Sequence, residues 1–395
     1  MANALLTPNQ ITREALRVLH QKLNFIGAIN RTYDDSFAKD GAKIGSALRI
    51  RLPNQYTVRT GANLSAQDTT ENQITLNVTT QKGVDTQFTS ADLTMSLDDF
   101  SQRIINPAMA VLAAAIEADA FAMALDVYNA VNNVGSAITF KNTLQARKIL
   151  NDNLAPMDGQ RSVILNTQDN VDLVDALKGL FQDSSEIKAQ YRDGVMGHTA
   201  GFEFSENTLL PSQTTGTALS ATTYTVNGAS QTGSVVIVAT GSTTFKKGDI
   251  VTFAGCNSVH PETKVSTGIL QQFVVTADYA GGGGNLAISP AIVTSGATQN
   301  VSGSPTNGGA VTKIGGASAI YKPSLAFHKD AFTFATADLV LPKGVDMASR
   351  AVMDGLSMRL VRQYDINFDR FPVRLDLLYG YQTIRPQLAA RILSN

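Results

Sequence analysis

The chain has few residues of the kinds that carry out catalysis, and their spacing does not bring them together. Its four histidines, His20, His198, His260 and His328, are far apart in sequence. None has a second histidine or a carboxylate at the helical spacing that metal ligands use. The sequence therefore predicts no metal site.

Two glycine-containing segments resemble reactive motifs but lack a necessary residue. Residues 281–284 are four glycines without the Lys-Ser/Thr that completes a phosphate-binding loop, so we expect a turn. Residues 197–201, Gly-His-Thr-Ala-Gly, have threonine where a hydrolase elbow has its nucleophilic serine. We expect a plain loop there.

The remaining reactive residues have structural explanations. Cys256, the only cysteine, follows Phe-Ala-Gly, a setting typical of a small buried thiol, and it excludes an intrachain disulfide. The acidic pairs Asp34-Asp35 and Asp98-Asp99 suit a solvated turn and a helix start. The sequence predicts no catalytic residues, no cofactor and no enzyme.

Composition narrows the class of protein further. The chain has 395 residues, 43% of them hydrophobic and 16% charged, with a net charge of −1. It is long enough for two or three globular domains, and any contact with nucleic acid would be local and non-specific. The N-terminus lacks a secretory signal, and the most apolar helix is interrupted by Glu117, Asp119 and Asp126. We expect a protein made in the cytoplasm, with no membrane partner.

Periodicity predicts an N-terminal helix followed by a long hairpin. Thr7, Pro8 and Gln10 form a helix start, after which apolar residues recur on one face. From about residue 47 to 88 the apolar spacing is two, interrupted by a polar stretch at 60–72. This pattern predicts two strand arms with a projecting polar tip.

The next segments predict a long helix and a small α/β layer. Asn106-Pro107 is a capped start, and helical spacing continues to about Val131, so we expect a helix of about 25 residues that Gly135 ends. Helix, strand and helix patterns follow at 142–150, 162–165 and 171–181.

A β-rich module interrupts this α/β layer. No arginine occurs between Arg192 and Arg350, and short alternating runs rich in Gly, Ser, Thr and Val fill most of that stretch. We place the borders of the insert near Pro211 and Ser318 and expect a small antiparallel barrel or sandwich. Strands are predicted at 223–226, 234–238, 249–253 and 272–276. Beyond it, two long alternations between 358 and 381 predict long strands.

The order of these elements and two short stretches resemble one family. Residues 245–255 (Phe-Lys-Lys-Gly-Asp-Ile-Val-Thr-Phe-Ala-Gly) resemble the strand entry and Phe-Ala-Gly turn of its inserted domain. Residues 378–381 (Leu-Tyr-Gly-Tyr), with Thr383 and Arg385-Pro386, resemble its closing strand. Residues 191–194 and 200–202 match as well. The chain resembles tailed-phage major capsid proteins, most closely the coat proteins of short-tailed Salmonella-type phages.

The resemblance implies an α+β, HK97-like capsid fold with an inserted all-β domain, Ig-like or a β-barrel. Its parts are an N-terminal arm (1–38), an E-loop hairpin (39–92), a P-domain with the spine helix (93–138), an A-domain (139–210), the insert (211–318), the rest of the A-domain (319–350) and the closing strands of the P-domain (351–395).

The resemblance also implies a function and partners. Copies of the chain would assemble as hexamers and pentamers into an icosahedral shell, in the host cytoplasm, and remain in the virion. The implied partners are a separate scaffolding protein, a portal protein and packaged double-stranded DNA. One departure concerns the insert, where the family has a long charged loop and residues 224–238 have a short uncharged turn at Asn227-Gly228. Contact between capsomers through that loop stays open.

Three groups of residues are candidate contact or hinge sites. The N-terminal arm would meet a scaffolding helix or a neighbour through basic residues, although a plainly docked helix is an equal alternative. The hairpin would carry inter-subunit contacts, and Lys82 is either a cross-linking residue or a solvated charge, the latter being favoured. The residues are Arg13, Arg17 and Lys22 on the arm, Arg49, Arg51, Arg59 and Lys82 on the hairpin, and the hinge glycines Gly41, Gly45 and Gly61.

Two other classes of protein stay open. One is a phage tail, baseplate or surface-layer protein with a β-rich binding insert. The other is a hydrolase with a carbohydrate-binding module, which would need an aromatic-lined groove. The insert has few aromatic residues, namely Tyr224, Phe245, Phe253, Phe273 and Tyr279.

Overall fold

The computed structural model describes residues 8–32, 47–59, 61–64, 66–67, 71–88, 104–177, 197–239, 241–353, 356–367 and 370–394. The chain forms two compact units. The first contains Met1–Ile50, Ile74–Ala120 and Phe332–Ile384, and the second contains Arg51–Gln73, Phe121–Ala331 and Arg385–Asn395. Each unit therefore combines segments that are far apart in sequence.

The α-helices of the described chain all lie before residue 178, and strands predominate after it. The helices are α1 (Pro8–Lys22), α2 (Phe25–Ala28), α3 (Asn106–Phe121), α4 (Phe140–Asp152) and α5 (Thr167–Leu177). The strands are β1 (Ala47–Arg51), β2 (Gln73–Asn77), β3 (Thr80–Phe88), β4 (Ala130–Asn132), β5 (Arg161–Leu165), β6 (His198–Thr199), β7 (Phe202–Glu206), β8 (Gln213–Thr214), β9 (Ala221–Thr225), β10 (Gly233–Val238), β11 (Ile250–Val259), β12 (Ser266–Val275), β13 (Gly284–Ile292), β14 (Ala310–Lys313), β15 (Ile320–Tyr321), β16 (Ser324–His328), β17 (Phe332–Ala337), β18 (Met347–Met353), β19 (Leu356–Arg362), β20 (Phe371–Thr383) and β21 (Ala389–Leu393).

The first unit is organised by β20, a strand of 13 residues. Its first part lies between β3 and β19, with Leu375 opposite both Val84 and Leu360, and its last part pairs with β17. Helix α1 packs on β18 and β19 and buries the apolar face predicted from its spacing, including Ala15 and Leu19 at 0% exposure. The alternation seen in the sequence thus places every second side chain of β20 on one face of the sheet.

The predicted length of the spine helix is wrong. Helix α3 ends at Phe121, a 3-10 turn continues to Asp126, and residues 130–132 form β4 instead of helix. β4 is a parallel partner of β21, with Ala130 opposite Arg391. The sheet gives these residues backbone hydrogen bonds that override their helical spacing, so Gly135 does not end the helix.

One described helix, Asn106–Asp126, is long and apolar enough to cross a membrane by length and composition alone. Half of its most apolar window is buried. Glu117 is 1% exposed, and its Oε1 accepts a hydrogen bond from the backbone N–H of Phe25 at 2.8 Å. A buried carboxylate with a protein donor is what a core helix requires.

The second unit has a mixed sheet of six strands in the order β4-β21-β16-β5-β7-β6. β16 lies at its centre, antiparallel to both β21 and β5, and all five of its residues are buried. Helix α4 contacts β21, β16 and β4, and α5 contacts β5. This arrangement matches the helix-strand-helix order expected from residues 142–181.

The insert is a barrel of six antiparallel strands in the order β10-β13-β12-β11-β14-β9. A bridge between Val226 and Val238 closes the barrel, supported by a 2.9 Å hydrogen bond from the backbone N–H of Asn227 to the carbonyl of Ile237. Its core is apolar and includes Tyr224, Phe245, Phe253, Phe273 and Cys256, each 0% exposed. β8 and β15 pair at the two ends of the insert and form a stem.

Sequence reasoning missed part of the barrel. β13 and β14 were not expected, because their apolar residues are diluted by Ser, Gly and Thr. The Phe-Ala-Gly turn at 253–255 is wrong, since these residues lie inside β11, where the pairing with β12 shifts between Thr252 and Asn257. Gly255 has a φ of +84° there, which suits a glycine at a bulge.

A close approach of two backbones in the first unit makes Gly380 a sensitive position. A Cβ on Gly380 would lie 2.0 Å from the backbone oxygen of Asn77. We expect Gly380→Ala to lower the free energy of unfolding by roughly 1–3 kcal/mol, because β20 or the end of β2 must move. Chemical denaturation of the purified chain measures this difference.

Gly27→Ala is the matched control, since no atom lies within 4 Å of the Cβ that it adds. We expect it to change stability by less than about 0.5 kcal/mol. Equal stability of the two variants would contradict the close approach.

Candidate inter-subunit surfaces and the stem of the barrel

The residues that could do chemistry are dispersed in the structure. His198 lies exposed on β6, His260 accepts backbone hydrogen bonds in the β11–β12 connection, and buried His328 lies 3.2 Å from Asp158. Within the described ranges, no group of three or more His, Cys, Asp and Glu side chains could hold a metal ion. The side chain of His20 lies outside the described residues. Burial raises the pKa of Cys256 to about 12, so its thiol is protonated at neutral pH.

Residues 197–201 form a hairpin turn and not the plain loop expected. β6 and β7 pair with Thr199 opposite Phe202, and Ala200 and Gly201 connect them with φ angles of +53° and +76°. Thr199 is followed by a hairpin turn and β7, and not by the helix that follows a hydrolase nucleophile.

The exposed face of α1 carries Arg13 and Arg17. Arg17 pairs with Glu14 at 2.6 Å on the same helix face. Such an exposed pair contributes little to stability, so this face is available for contacts in an assembly. Helix α1 ends at Lys22, whose side chain lies outside the described residues.

The hairpin is short in its paired part and long in its connection. β1 and β2 form a two-stranded sheet, from which Arg49 and Arg51 are exposed. In the connection, Arg51 lies 3.2 Å from Glu71, and the Arg59 guanidinium donates to the carbonyls of Gly61 and Asn63. Both arginines therefore contact residues of the connection itself.

The connection also exposes apolar side chains. Tyr56, Val58 and Leu64 are 58%, 96% and 87% exposed. Solvent-exposed apolar side chains on an extended segment are typical of a surface that another chain covers. They are a better sign of inter-subunit contact than the arginines on which sequence reasoning relied.

Lys82 is not a solvated charge and does not lie in the projecting part of the hairpin. It lies in β3, opposite Leu377 of β20, and its Nζ is 2.6 Å from Asp119 Oδ2. The hydroxyl of Tyr379 donates to the same carboxylate oxygen at 2.5 Å. Lys82 thus joins a sheet strand to helix α3.

Of the proposed hinge glycines, only Gly61 lies within the described residues. Its φ is +101°, and no atom lies within 4 Å of the position that a Cβ would take, so backbone conformation alone favours glycine there. Gly41 and Gly45 fall outside the described residues.

The stem of the barrel contains a buried carboxylate that sequence reasoning did not single out. Asp249 is 1% exposed and accepts hydrogen bonds from the backbone N–H groups of Gly216 and Lys246 at 3.0 and 2.9 Å. It also accepts from the side-chain amide of Gln213 at 3.2 Å. One carboxylate therefore ties β8, the entry to the barrel and the start of β11 together.

Two buried cations complete this stem network. Arg391 of β21, 0% exposed, donates to the side-chain oxygen of Gln213 at 2.8 Å and to the carbonyl of Gly248 at 2.9 Å. Lys313 of β14, 1% exposed, donates to the carbonyls of Gly216 and Gly316. The stem network, defined as Gln213, Asp249, Lys313 and Arg391, joins the barrel to the mixed sheet.

Burial shifts the ionisation of these cations. It lowers the pKa of Arg391 to about 10, against the opposing charges of Asp249 and Asp126, and it lowers the pKa of Lys313. Arg391 still carries its charge at neutral pH, so the stem network contains a buried charge that needs its partners.

A second contact fixes the barrel beside the stem. The side-chain amide of Gln272 on β12 both accepts from the backbone N–H of Ala130 at 2.6 Å and donates to its carbonyl at 3.0 Å. Ile250 and Leu393 pack with Ala130 in a small apolar cluster. The barrel is therefore held to β4 and β21 by hydrogen bonds between the Gln272 side chain and the backbone and by apolar burial, as well as by charge.

The described residues thus combine an exposed hairpin connection with a buried stem network, and their reactive side chains lie apart. This combination is typical of a structural protein. Residues 28–393 match the family model described as "P22 coat protein - gene protein 5", and the chain belongs to that family. The resemblance drawn from residues 245–255 and 378–386 is confirmed. The chain is a major capsid protein of the phage shell and is located in the virion capsid.

Solved structures similar to this chain are distant in sequence. A chain of Mycobacterium phage Che8 is 14% identical with a TM-score of 0.47, covering 94% of this chain and 90% of that one. The capsid of cyanophage P-SCSP1u is 10% identical (TM-score 0.46, 92% and 88% covered), and the mature capsid of bacteriophage PhiM1 is 10% identical (TM-score 0.41, 89% and 82% covered). No curated protein sequence matches.

The mixed helix-and-strand capsid fold predicted from the sequence is confirmed. Membership of a coat protein family favours a structural role over the tail, surface-layer and hydrolase alternatives.

Removing the charge at the centre of the stem should destabilise the second unit. We expect Arg391→Met to lower its free energy of unfolding by about 3–5 kcal/mol, because Gln213 and the Gly248 carbonyl lose a buried donor. Denaturant unfolding, followed together with protease cleavage around residues 211–215 and 318–322, measures this loss.

Arg49→Met is the control, since Arg49 is exposed on β1, and we expect it to change stability by less than about 0.5 kcal/mol. An Arg391→Met protein as stable and as protease-resistant as the control would show that the stem network does not hold the barrel.

We expect alkaline pH to lower the stability of the folded chain through Tyr379. Burial, with the hydrogen bond and charge of Asp119, raises the pKa of Tyr379 far above its usual value of about 10. Above pH ~10 the unfolded chain therefore binds fewer protons at this site than the folded chain, and stability falls as pH rises. We expect Tyr379→Phe to reduce this alkaline loss and to cost about 1 kcal/mol at neutral pH.

Tyr56→Phe is the control, because Tyr56 is 58% exposed. Unfolding curves at neutral and alkaline pH compare the two variants. The same alkaline loss in both would contradict the buried hydroxyl.

Proposed function

We propose that copies of this chain assemble as hexamers and pentamers into an icosahedral shell around double-stranded DNA. The match of residues 28–393 to the coat protein family carries the proposal. The exposed connection of the hairpin supports it, because Tyr56, Val58 and Leu64 gain from burial against a neighbour. Arg49, Arg51 and Arg59 would position this connection on that neighbour.

The proposed partners during assembly are a separate scaffolding protein and a portal protein. Arg13 and Arg17 lie on the exposed face of α1, where an acidic or amphipathic helix of a scaffold would find paired basic groups. The alternative is that α1 only packs against its own sheet and binds no scaffolding protein. Packaged DNA would touch the inner wall without sequence preference, which suits a net charge of −1.

The proposed role is structural, without enzymatic activity. The buried thiol of Cys256 and the scattered histidines support this view. Gly61 would give the hairpin its backbone freedom, and Gly41 and Gly45 are proposed as hinges on sequence alone.

Electron microscopy of the chain, expressed with and without the neighbouring open reading frames of its phage, tests the proposal. We expect closed shells, and we expect their formation to depend on a second gene product. Rings, tubes or stable monomers under every condition would overturn it, and rings or tubes would favour the tail class.

Substitutions on α1 test the proposed contact with the scaffolding protein separately. We expect Arg13→Ala with Arg17→Ala to abolish assembly that depends on the second gene product while circular dichroism stays unchanged. Lys141→Ala, which removes another exposed cation on a helix, is the control and should assemble normally. Normal assembly of the double variant would show that the scaffold does not use this face.

A further inference from the structure

Most of one edge of strand β12 is open, although the bridge between Val226 and Val238 closes the barrel. β12 pairs with β11 from Ser266 to Val274 but with β13 only at Val274 and Val275. Among the described residues, none from Ser266 to Phe273 has a ladder partner on the β13 side. The other side of this ribbon is covered, since Ser258 of β11 bridges Val301 and the backbone N–H of Val259 donates to the Asn300 carbonyl.

The open edge has only one of the usual protections against pairing. The strand bulges around Gly268, whose φ is +73° and where the pairing with β11 shifts. Residues 269–273, beyond the bulge, contain neither a charged residue nor a proline, and Ile269 and Leu270 are 60% and 39% exposed. Edge strands that remain in water normally carry a charge, a proline, a bulge or a covering segment. The edge beyond the bulge therefore has the character of a strand that is covered in the working protein.

A cleft of about 430 Å³ runs beside this edge. One wall is the β11–β12 ribbon with Ile269 and Leu270, and the other includes Ile149 and Asp152 of α4. Asp152 pairs with Lys148 at 2.6 Å, so the helix wall presents no unpaired charge from this pair. The cleft has the size of a site for a short extended segment.

The same chain exposes a segment with matching properties. Residues 53–58 are irregular in structure, uncharged and without a strand partner among the described residues. The backbone N–H and carbonyl of Thr57 both bond to the side chain of Gln67, at 2.9 and 2.5 Å. Because backbone groups alternate between the two edges of an extended chain, those of Tyr56 and Val58 face the other way, and no described residue pairs with them.

We propose that residues 54–58 of a second copy add as an antiparallel strand to the open edge of β12. This β-addition would pair the backbone groups of Tyr56 and Val58 with those of β12. Because Tyr56 and Val58 share one face and Ile269 and Leu270 lie on opposite faces, it would bury Tyr56 and Val58 against one of the latter two. The inference rests on the proposed shell, which brings copies together.

Charge favours this occupant, and the neighbouring pairing sets its direction. Both segments are uncharged, so pairing desolvates no ion, whereas a charged peptide would have to bury its charges against Ile269 and Leu270. The antiparallel direction continues the pairing that β13 makes with this edge of β12 at Val274 and Val275.

Cross-linking between two chains, each with one introduced cysteine, tests the contact. One chain carries Val58→Cys and the other, of different mass through a tag, carries Ile269→Cys. The native thiol of Cys256 is buried and protonated, so it does not compete. Mixed shells are treated with a short bismaleimide, and we expect a dimer of one tagged and one untagged chain as a major product on a denaturing gel.

The matched control pairs Val58→Cys with Val340→Cys, another exposed valine at 80%. We expect at least a tenfold lower yield of the mixed dimer with this chain. Intact shells with equal yields, or with none for Ile269→Cys, would overturn the β-addition and leave the shell itself established. Failure of the unsubstituted chain to form any shell would overturn both.

Hydrogen exchange on the unsubstituted chain gives a second readout that needs no variant. We expect the backbone amides of residues 54–58 and 266–272 to exchange at least tenfold more slowly in shells than in free subunits. Fast exchange of residues 266–272 in complete shells would contradict the proposal.

Discussion

The second unit depends on a charged joint buried where the barrel leaves the sheet. Asp249 gathers two backbone N–H groups and Gln213, and Gln213 in turn accepts from Arg391 of the mixed sheet. Buried charges held by hydrogen bonds add little net stability over an apolar joint, but a misplaced one loses its partners at a cost of several kcal/mol. The stem network therefore stabilises one arrangement of barrel and sheet and raises the free energy of others. This suits a subunit of which many copies must have the same shape.

In the first unit, a shared carboxylate joins elements that are far apart in sequence. Asp119 on α3 accepts from Lys82 of β3 and from Tyr379 of β20, so one side chain couples the spine helix to two neighbouring strands. The apolar face of α1 covers β18 and β19 of the same sheet. The exposed segments 53–58 and 265–272 lie outside these networks and are the proposed contacts with neighbouring copies.

Local patterns predicted much of the fold, because they depend on nearby residues. The period of two in residues 358–381 predicted β19 and β20, and the composition between Pro211 and Ser318 predicted a β module that the structure closes into a barrel. Predictions failed where distant partners decide. Residues 130–132 have helical spacing but pair with β21, and residues 253–255 continue through a bulge in β11. The prediction of a solvated Lys82 failed because nothing local shows that Asp119, far along the chain, lies beside it.

The candidate surfaces were predictable only as exposed, basic or glycine-rich segments. Arg391 and Asp249 were not identified as a joint, since a buried charge has no local signature; the Lys-Lys-Gly-Asp sequence was noticed for its resemblance and not for its burial. The open edge of β12 could not be predicted for a different reason. Residues 266–272 have an ordinary strand sequence, and only the structure shows that β13 does not pair with them.

A double-mutant cycle between Arg391→Met and Asp249→Asn tests the central claim that these residues act as one joint. The two side chains are linked through Gln213 and the Gly248 carbonyl, so their effects on the free energy of unfolding should not add. We expect a coupling energy of roughly 0.5–3 kcal/mol. Additive effects, within about 0.3 kcal/mol, would show that the two charges act independently and would contradict the joint.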